Sequence, residues 1–111
     1  MSRIAILVFT WTLAARAEAL AQVPATLRQV ETVPMPGVTG RIDHLAFDPD
    51  RQQLFVAALG NNTVEVIDTA NHAVVRSLSG FHEPQGIAFV ADLRAVAIAN
   101  GGTGTLQLVD A

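Results

Sequence analysis

Cysteine is absent from this 111-residue chain, which excludes disulfides, thiolate metal sites and a lipid-modified cysteine. Lysine is absent too: all seven basic residues are arginine, set against ten acidic residues for a formal net charge of −3. A mildly acidic chain offers no basic footprint for nucleic acid. Membrane-length apolar runs are also missing near the N-terminus, where Ile4 to Ala15 gives only twelve uncharged residues. That run is too short to span a bilayer. A domain of this size without covalent staples depends on its apolar core.

The short apolar run suits a secretory signal. Met1-Ser2-Arg3 supplies a positive start, and small-x-small sites follow, ending at Ala17, Ala19 and Ala21. The pattern predicts a helical signal peptide over residues 1–21, cut before Gln22, and hence a periplasmic or secreted chain with no stable membrane span after cleavage. The alternative is an apolar N-terminal helix that stays attached. Cleavage would remove Arg3, Arg16 and Glu18 and leave 90 residues at a formal charge of −4.

What the chain does contain is a repeat. Residues 44–68 align without a gap on residues 86–110, 42 positions further on. Identities fall at Ala46/Ala88, Phe47/Phe89, Asp50/Asp92, Ala57/Ala99, Gly60/Gly102, Thr63/Thr105 and Asp68/Asp110. A period of this length marks a unit that cannot bury its own apolar face and stacks on its neighbours.

Each unit reads as short strands. His44 to Phe47 stops at the turn signal Asp48-Pro49-Asp50, and Leu54 to Ala58 ends at Gly60-Asn61-Asn62, where residues tolerant of positive φ let the chain reverse. Thr63 to Asp68 alternates and is rich in β-branched residues, which predicts a strand with one wetter face. After Ala70-Asn71-His72, a fourth strand is predicted over Ala73 to Leu78. The second copy supplies Gly86 to Phe89, Ala95 to Ala99 and Thr105 to Val109. Before the first copy, Thr26 to Val33 alternates in strand fashion and resembles an outer strand of a further unit. The expected class is all-β, with an N-terminal strand and linker over 22–40, a four-stranded antiparallel unit over 41–80 and a second, incomplete unit over 81–111.

Pro84-Gln85-Gly86, Phe55-Val56-Ala57-Ala58 and the run Asn62 to Asp68 together resemble the YVTN-type β-propeller repeat. Gly40 to Asp48, Phe55 to Asp68, Glu83 to Gly86 and Ala99 to Thr105 are similar to secreted bacterial YncE-like propeller proteins. The resemblance covers residues 27–111 and implies a partial propeller of about two blades, with Thr26 to Val33 as a ring-closing strand. A closed ring needs about four or more blades of this size, so the chain is expected to be an N-terminal fragment of a longer protein.

In such a fold, the segment entering the innermost strand and the loop between the second and third strands meet at one mouth of the channel. That would gather Arg41, Asp43 and His44 with His82, Glu83, Gln85 and Asn100, beside Asn61 and Asn62. Carboxylates, imidazoles and amides there could hold a metal or a polar ligand, although no ligand spacing specifies a metal or any other cofactor. Each residue also has a structural reading. Asp43 suits the capping of backbone amides, His44 suits a packed histidine, and Arg41 could pair with Asp43 or Glu83. Glu83-Pro84-Gln85-Gly86 suits a fixed turn, and the Gly101 to Gly104 stretch lacks the following helix of a phosphate loop. Nothing assembles a nucleophile, base and oxyanion site. The leading expectation is a non-catalytic module that binds a protein or small ligand. The alternative is a metal- or quinone-dependent propeller enzyme of the lactonase, esterase or dehydrogenase kind.

Overall fold

Runs of Val, Ile, Leu and Ala broken by Asp, Asn and Gly every few residues cannot build a helix of useful length, and among the described residues they fold as seven strands. The computed structural model describes residues 26–111; the expected signal peptide over 1–21 lies outside them. The strands are β1 (Leu45–Asp48), β2 (Gln53–Ala58), β3 (Thr63–Asp68), β4 (Ala73–Leu78), β5 (Pro84–Val90), β6 (Ala95–Asn100) and β7 (Thr105–Asp110). Among the described residues no helix is long and apolar enough to cross a membrane.

The strands form two antiparallel meanders, β1-β2-β3-β4 and β5-β6-β7. Residues 42 positions apart occupy matching places in them: Phe47 pairs Leu54 as Phe89 pairs Val96, and Ala57 pairs Val64 as Ala99 pairs Leu106. Reversals are made by single left-handed residues, Gln52 and Arg94 after the first strand of each sheet and Asn62 and Gly104 after the second. These also lie 42 apart, so the repeat extends to backbone conformation. Gln52 and Arg94 adopt it without the local side-chain bonds that help Asn do so.

Alternation along the strands gives each sheet two faces. Phe55, Val64 and Val66 of the first sheet form one buried cluster with Val96 and Ile98 of the second, joined by Phe81 from the connection between β4 and β5. Leu78, Ile87, Phe89, Val109 and Ala111 pack against it. The contributing faces are opposite ones. Val96 and Ile98 are the repeat counterparts of Leu54 and Val56, not of Phe55. One unit therefore presents its Phe55 face to the reverse face of the next, a head-to-tail contact of the kind that propagates.

A charged contact lies at the turn end of this packing. Asp48 is fully buried; its Oδ1 accepts the backbone N–H groups of Asp50 at 3.0 Å and Arg51 at 3.3 Å. Its Oδ2 has no hydrogen bond but faces Arg94 Nη2 of the second sheet at 3.6 Å, and Arg94 Nη1 lies 3.5 Å from Asp50 Oδ2. The gap to Asp48 is too long for a hydrogen bond, so attraction there is Coulombic. Both partners stand where the two copies differ, Asp48 against Val90 and Gln52 against Arg94. The repeat-breaking residues thus pair with each other across the sheets.

One expectation is corrected, the wetter face of β3. Residues 26–35 form no strand, and Leu27 and Val30 are exposed. An alternating segment becomes a strand only when a neighbour's ladder takes its backbone groups, and residues 26–33 pair with no strand among the described residues. The wetter face expected of β3 is instead buried at Glu65, where the hydroxyls of Thr63 at 2.6 Å and Ser77 at 2.8 Å donate to its Oε1. Replacing Asp48 with Ala strands the Asp50 and Arg51 amides and is expected to cost about 1–3 kcal/mol of stability, read as a lower midpoint in denaturant unfolding. An unchanged midpoint would show that the buried carboxylate does not organise the turn.

Candidate functional site

The close approach of backbone at two repeated glycines positions the loops at the other end of the sheets. Gly60 N–H donates to the Arg41 carbonyl at 2.9 Å, and Gly102 N–H donates to the His82 carbonyl at 3.1 Å. A Cβ on Gly60 would lie 2.5 Å from the Arg41 backbone nitrogen and 2.8 Å from Gly40 Cα. On Gly102 it would lie 3.2 Å from the His82 carbonyl oxygen and 3.3 Å from Glu83 Oε2. Gly60 and Gly102 are thus identical in both copies because the segment leading into the first strand of each sheet crosses them. Gly60 does not need positive φ; Asn62 supplies that, at 56°.

In the first sheet, this lead-in segment carries Arg41, Asp43 and His44. Asp43 is tied into the ladder by its N–H to the Ala57 carbonyl at 2.9 Å. Its carboxylate lies 3.2 Å from Arg41 Nη2 through one oxygen and 2.6 Å from His44 Nδ1 through the other. The Arg41 and His44 side chains are largely exposed while Asp43 is mostly buried. Asp43 therefore serves its neighbours' side chains rather than backbone amides, and both its oxygens are engaged. His44 corrects the expectation of a packed histidine: it leads into β1, an edge strand of its sheet, and its exposed imidazole lies against Asp43.

The lead-in segment of the second sheet repeats the plan with different chemistry. His82 N–H donates to Asn100 Oδ1 at 2.9 Å, while Asn100 Nδ2 donates to Gln107 Oε1 at 2.6 Å. Asn100 is buried and therefore acts as an internal brace. Gly101 N–H donates to the Glu83 carbonyl at 2.9 Å, and Gln85 packs so close over Gly101 that a side chain there would strike its amide. Glu83 has φ of 51°, an uncommon conformation for a residue whose side chain does not bond locally. Its N–H donates to Asn62 Oδ1 of the first sheet at 2.8 Å.

That last hydrogen bond joins the two lead-in segments. Asn62 lies two residues after Gly60, which holds Arg41, so one loop grips the start of its own sheet and the start of the next. Asn61 completes the loop, accepting from Thr39 N–H at 3.4 Å and donating to Thr63 Oγ1 at 3.0 Å. Arg41, Asp43, His44, Glu83 and Asn62 are thus linked through short hydrogen-bonded connections, with His82, Gln85 and Asn100 beside Glu83. No cavity forms among the described residues, and among them no three His, Asp or Glu side chains converge to hold a metal ion.

Asp68 lies away from this cluster, at the end of β3, with its carboxyl held below the usual aspartate range. The Asn71 side chain and then the Asn71 N–H are the main causes, with Ala70 N–H and the nearby His72 adding to them against partial desolvation. This stabilisation is present above the ordinary aspartate pKa and fades as pH falls through the lower folded value.

The Asn62–Glu83 tie and the left-handed Glu83 are not legible in the sequence, because neither position repeats: Asn62 stands against Gly104 and Glu83 against Arg41. No protein-family model matches the chain, and no curated protein matches it. Gly60→Ala is expected to push the Arg41 segment away, costing about 1–3 kcal/mol as overpacking does. The amide resonances of residues 40–44 should move while those of β6 and β7 stay in place. Unshifted 40–44 resonances would contradict the close-approach account.

Proposed function

We propose that this chain is a non-catalytic binding or interaction module of the β-propeller type, in a periplasmic or secreted protein, with each sheet acting as a blade. The 42-residue repeat, the meander order and the head-to-tail packing of opposite faces support the blade reading. The observation that carries the binding reading is the Asn62–Glu83 hydrogen bond. It sets the two lead-in segments side by side on a braced backbone, and a site held in place before its ligand arrives spends less free energy on ordering.

The exposed groups at this end suggest the ligand class. Arg41 spends part of its guanidinium on Asp43 and leaves further donors for a carboxylate. Glu83 presents a carboxylate able to take an ammonium group. A small ligand or peptide end bearing both charges suits that pair better than an ion of one sign. Asp43 is neutralised by its own neighbours and acts as a positioning residue for Arg41 and His44.

Titration of the isotopically labelled 111-residue chain with glycylglycine tests this reading. Saturable amide shifts are expected on residues 41–44, 61–62 and 82–85, weakened at least several-fold by Arg41→Ala and by Glu83→Gln. Absence of shifts, or shifts centred on the turns at 48–52 and 91–94, would count against it.

A further inference from the structure

Asn100-Gly101 is the only Asn-Gly pair in the chain, and the bracing role of Asn100 makes no use of the reactivity of that pair. Glycine carries no side chain to hinder attack by its own nitrogen. In an open chain the Gly101 nitrogen can therefore add to Asn100 Cγ, losing its proton while the side-chain nitrogen leaves as ammonia. The product is a five-membered succinimide, and water opens it at either carbonyl to give aspartate or isoaspartate.

The fold keeps the two reacting groups apart. Ring closure must turn the peptide between Asn100 and Gly101 out of the extended conformation of β6. That peptide is bonded on both sides: its carbonyl accepts Gly104 N–H at 2.9 Å, and its N–H donates to the Glu83 carbonyl at 2.9 Å. The side chain is held as firmly. Its Oδ1 accepts His82 N–H at 2.9 Å, and its Nδ2 donates to Gln107 Oε1 at 2.6 Å and lies 3.4 Å from Thr105 Oγ1. Asn100 is buried, so rotation would strand these groups without water to replace their partners.

Two of these bonds come from the lead-in segment, at His82 and Glu83, and Glu83 N–H is itself tied to Asn62 Oδ1 at 2.8 Å. We infer that Asn100-Gly101 is a site of spontaneous covalent modification whose rate is set by release of residues 82–85 from the β6–β7 loop. In place, the segment blocks ring formation; released, it frees the Gly101 nitrogen and the Asn100 amide together. Isoaspartate routes the main chain through the former side chain and adds a methylene ahead of Gly101, displacing Gly101 and Gly102 from Glu83 and His82. Aspartate keeps an acceptor for His82 N–H but replaces the donor to Gln107 Oε1 with a second acceptor. Either product weakens the hold on the lead-in segment. The inference rests on these contacts and not on the ligand proposed above.

Peptide mapping by mass spectrometry, after incubation at neutral pH, compares the 111-residue chain with a free peptide of residues 97–105 in the same buffer. Conversion of Asn100 is expected to be at least about ten-fold slower in the chain, because local opening costs free energy. Asn62→Gly keeps a left-handed turn, as Gly104 does in the second copy, and removes the acceptor of Glu83 N–H. It should speed conversion several-fold. Asp48→Ala weakens the opposite end of the sheets and should leave the rate close to that of the parent. A chain that converts as fast as the peptide would overturn the inference. So would equal conversion in Asn62→Gly and the parent, or a larger gain from Asp48→Ala than from Asn62→Gly, which would place the gate in global unfolding.

Discussion

Phe55, Val64 and Val66 meet Val96 and Ile98 around Phe81, and the rest of the molecule depends on that apolar contact between opposite sheet faces. A single four-stranded meander leaves a face of this kind in water, and isolated meanders of this size are marginal. Stacking removes the apolar face of one sheet and the reverse face of the next together. The packing also sets the relative position of the loops, because the connection that carries Phe81 into the cluster runs directly into His82 and Glu83.

Polar detail then fixes how the sheets sit. At one end Arg94 reaches the buried Asp48 and the exposed Asp50; at the other, Asn62 accepts the Glu83 N–H. These cross-sheet contacts use residues that the two copies do not share. Apolar stacking alone would accept either unit in either order, whereas Asp48 and Arg94 pair only when the first sheet precedes the second. The contribution of the ion pair itself is modest because Arg94 is partly exposed and screened. The consequence of losing one partner is larger, since the other is a carboxylate held out of water.

The strands are legible almost to the residue. Alternation and turn chemistry place Thr63 to Asp68 and Ala73 to Leu78 at the limits observed for β3 and β4, because both are nearest-neighbour properties of the chain. The two-sheet arrangement follows from the 42-residue offset for the same reason. What depends on a partner far along the chain is not legible. Glu65 reads as solvated unless Ser77 is known to lie across the sheet, and Thr26 to Val33 alternates without a neighbouring ladder to make it a strand. His44 reads as part of an apolar run, yet just ahead of β1 its imidazole turns toward Asp43. At the candidate site the residue types are readable and their gathering is an expectation. The hydrogen bonds that brace them come from Asn62 and Asn100, whose roles rest on backbone groups that carry no sequence signature.

Whether the two sheets form one cooperative unit through their shared cluster is answered most directly by native-state hydrogen exchange on Ile98→Ala. The removed methylene and methyl groups should cost about 2–5 kcal/mol, as in other buried aliphatic truncations. A shared core predicts an equal loss of protection in β2 and β3 of the first sheet and in β6, where the substitution sits. Loss confined to β5, β6 and β7, with β2 and β3 protected as before, would contradict it.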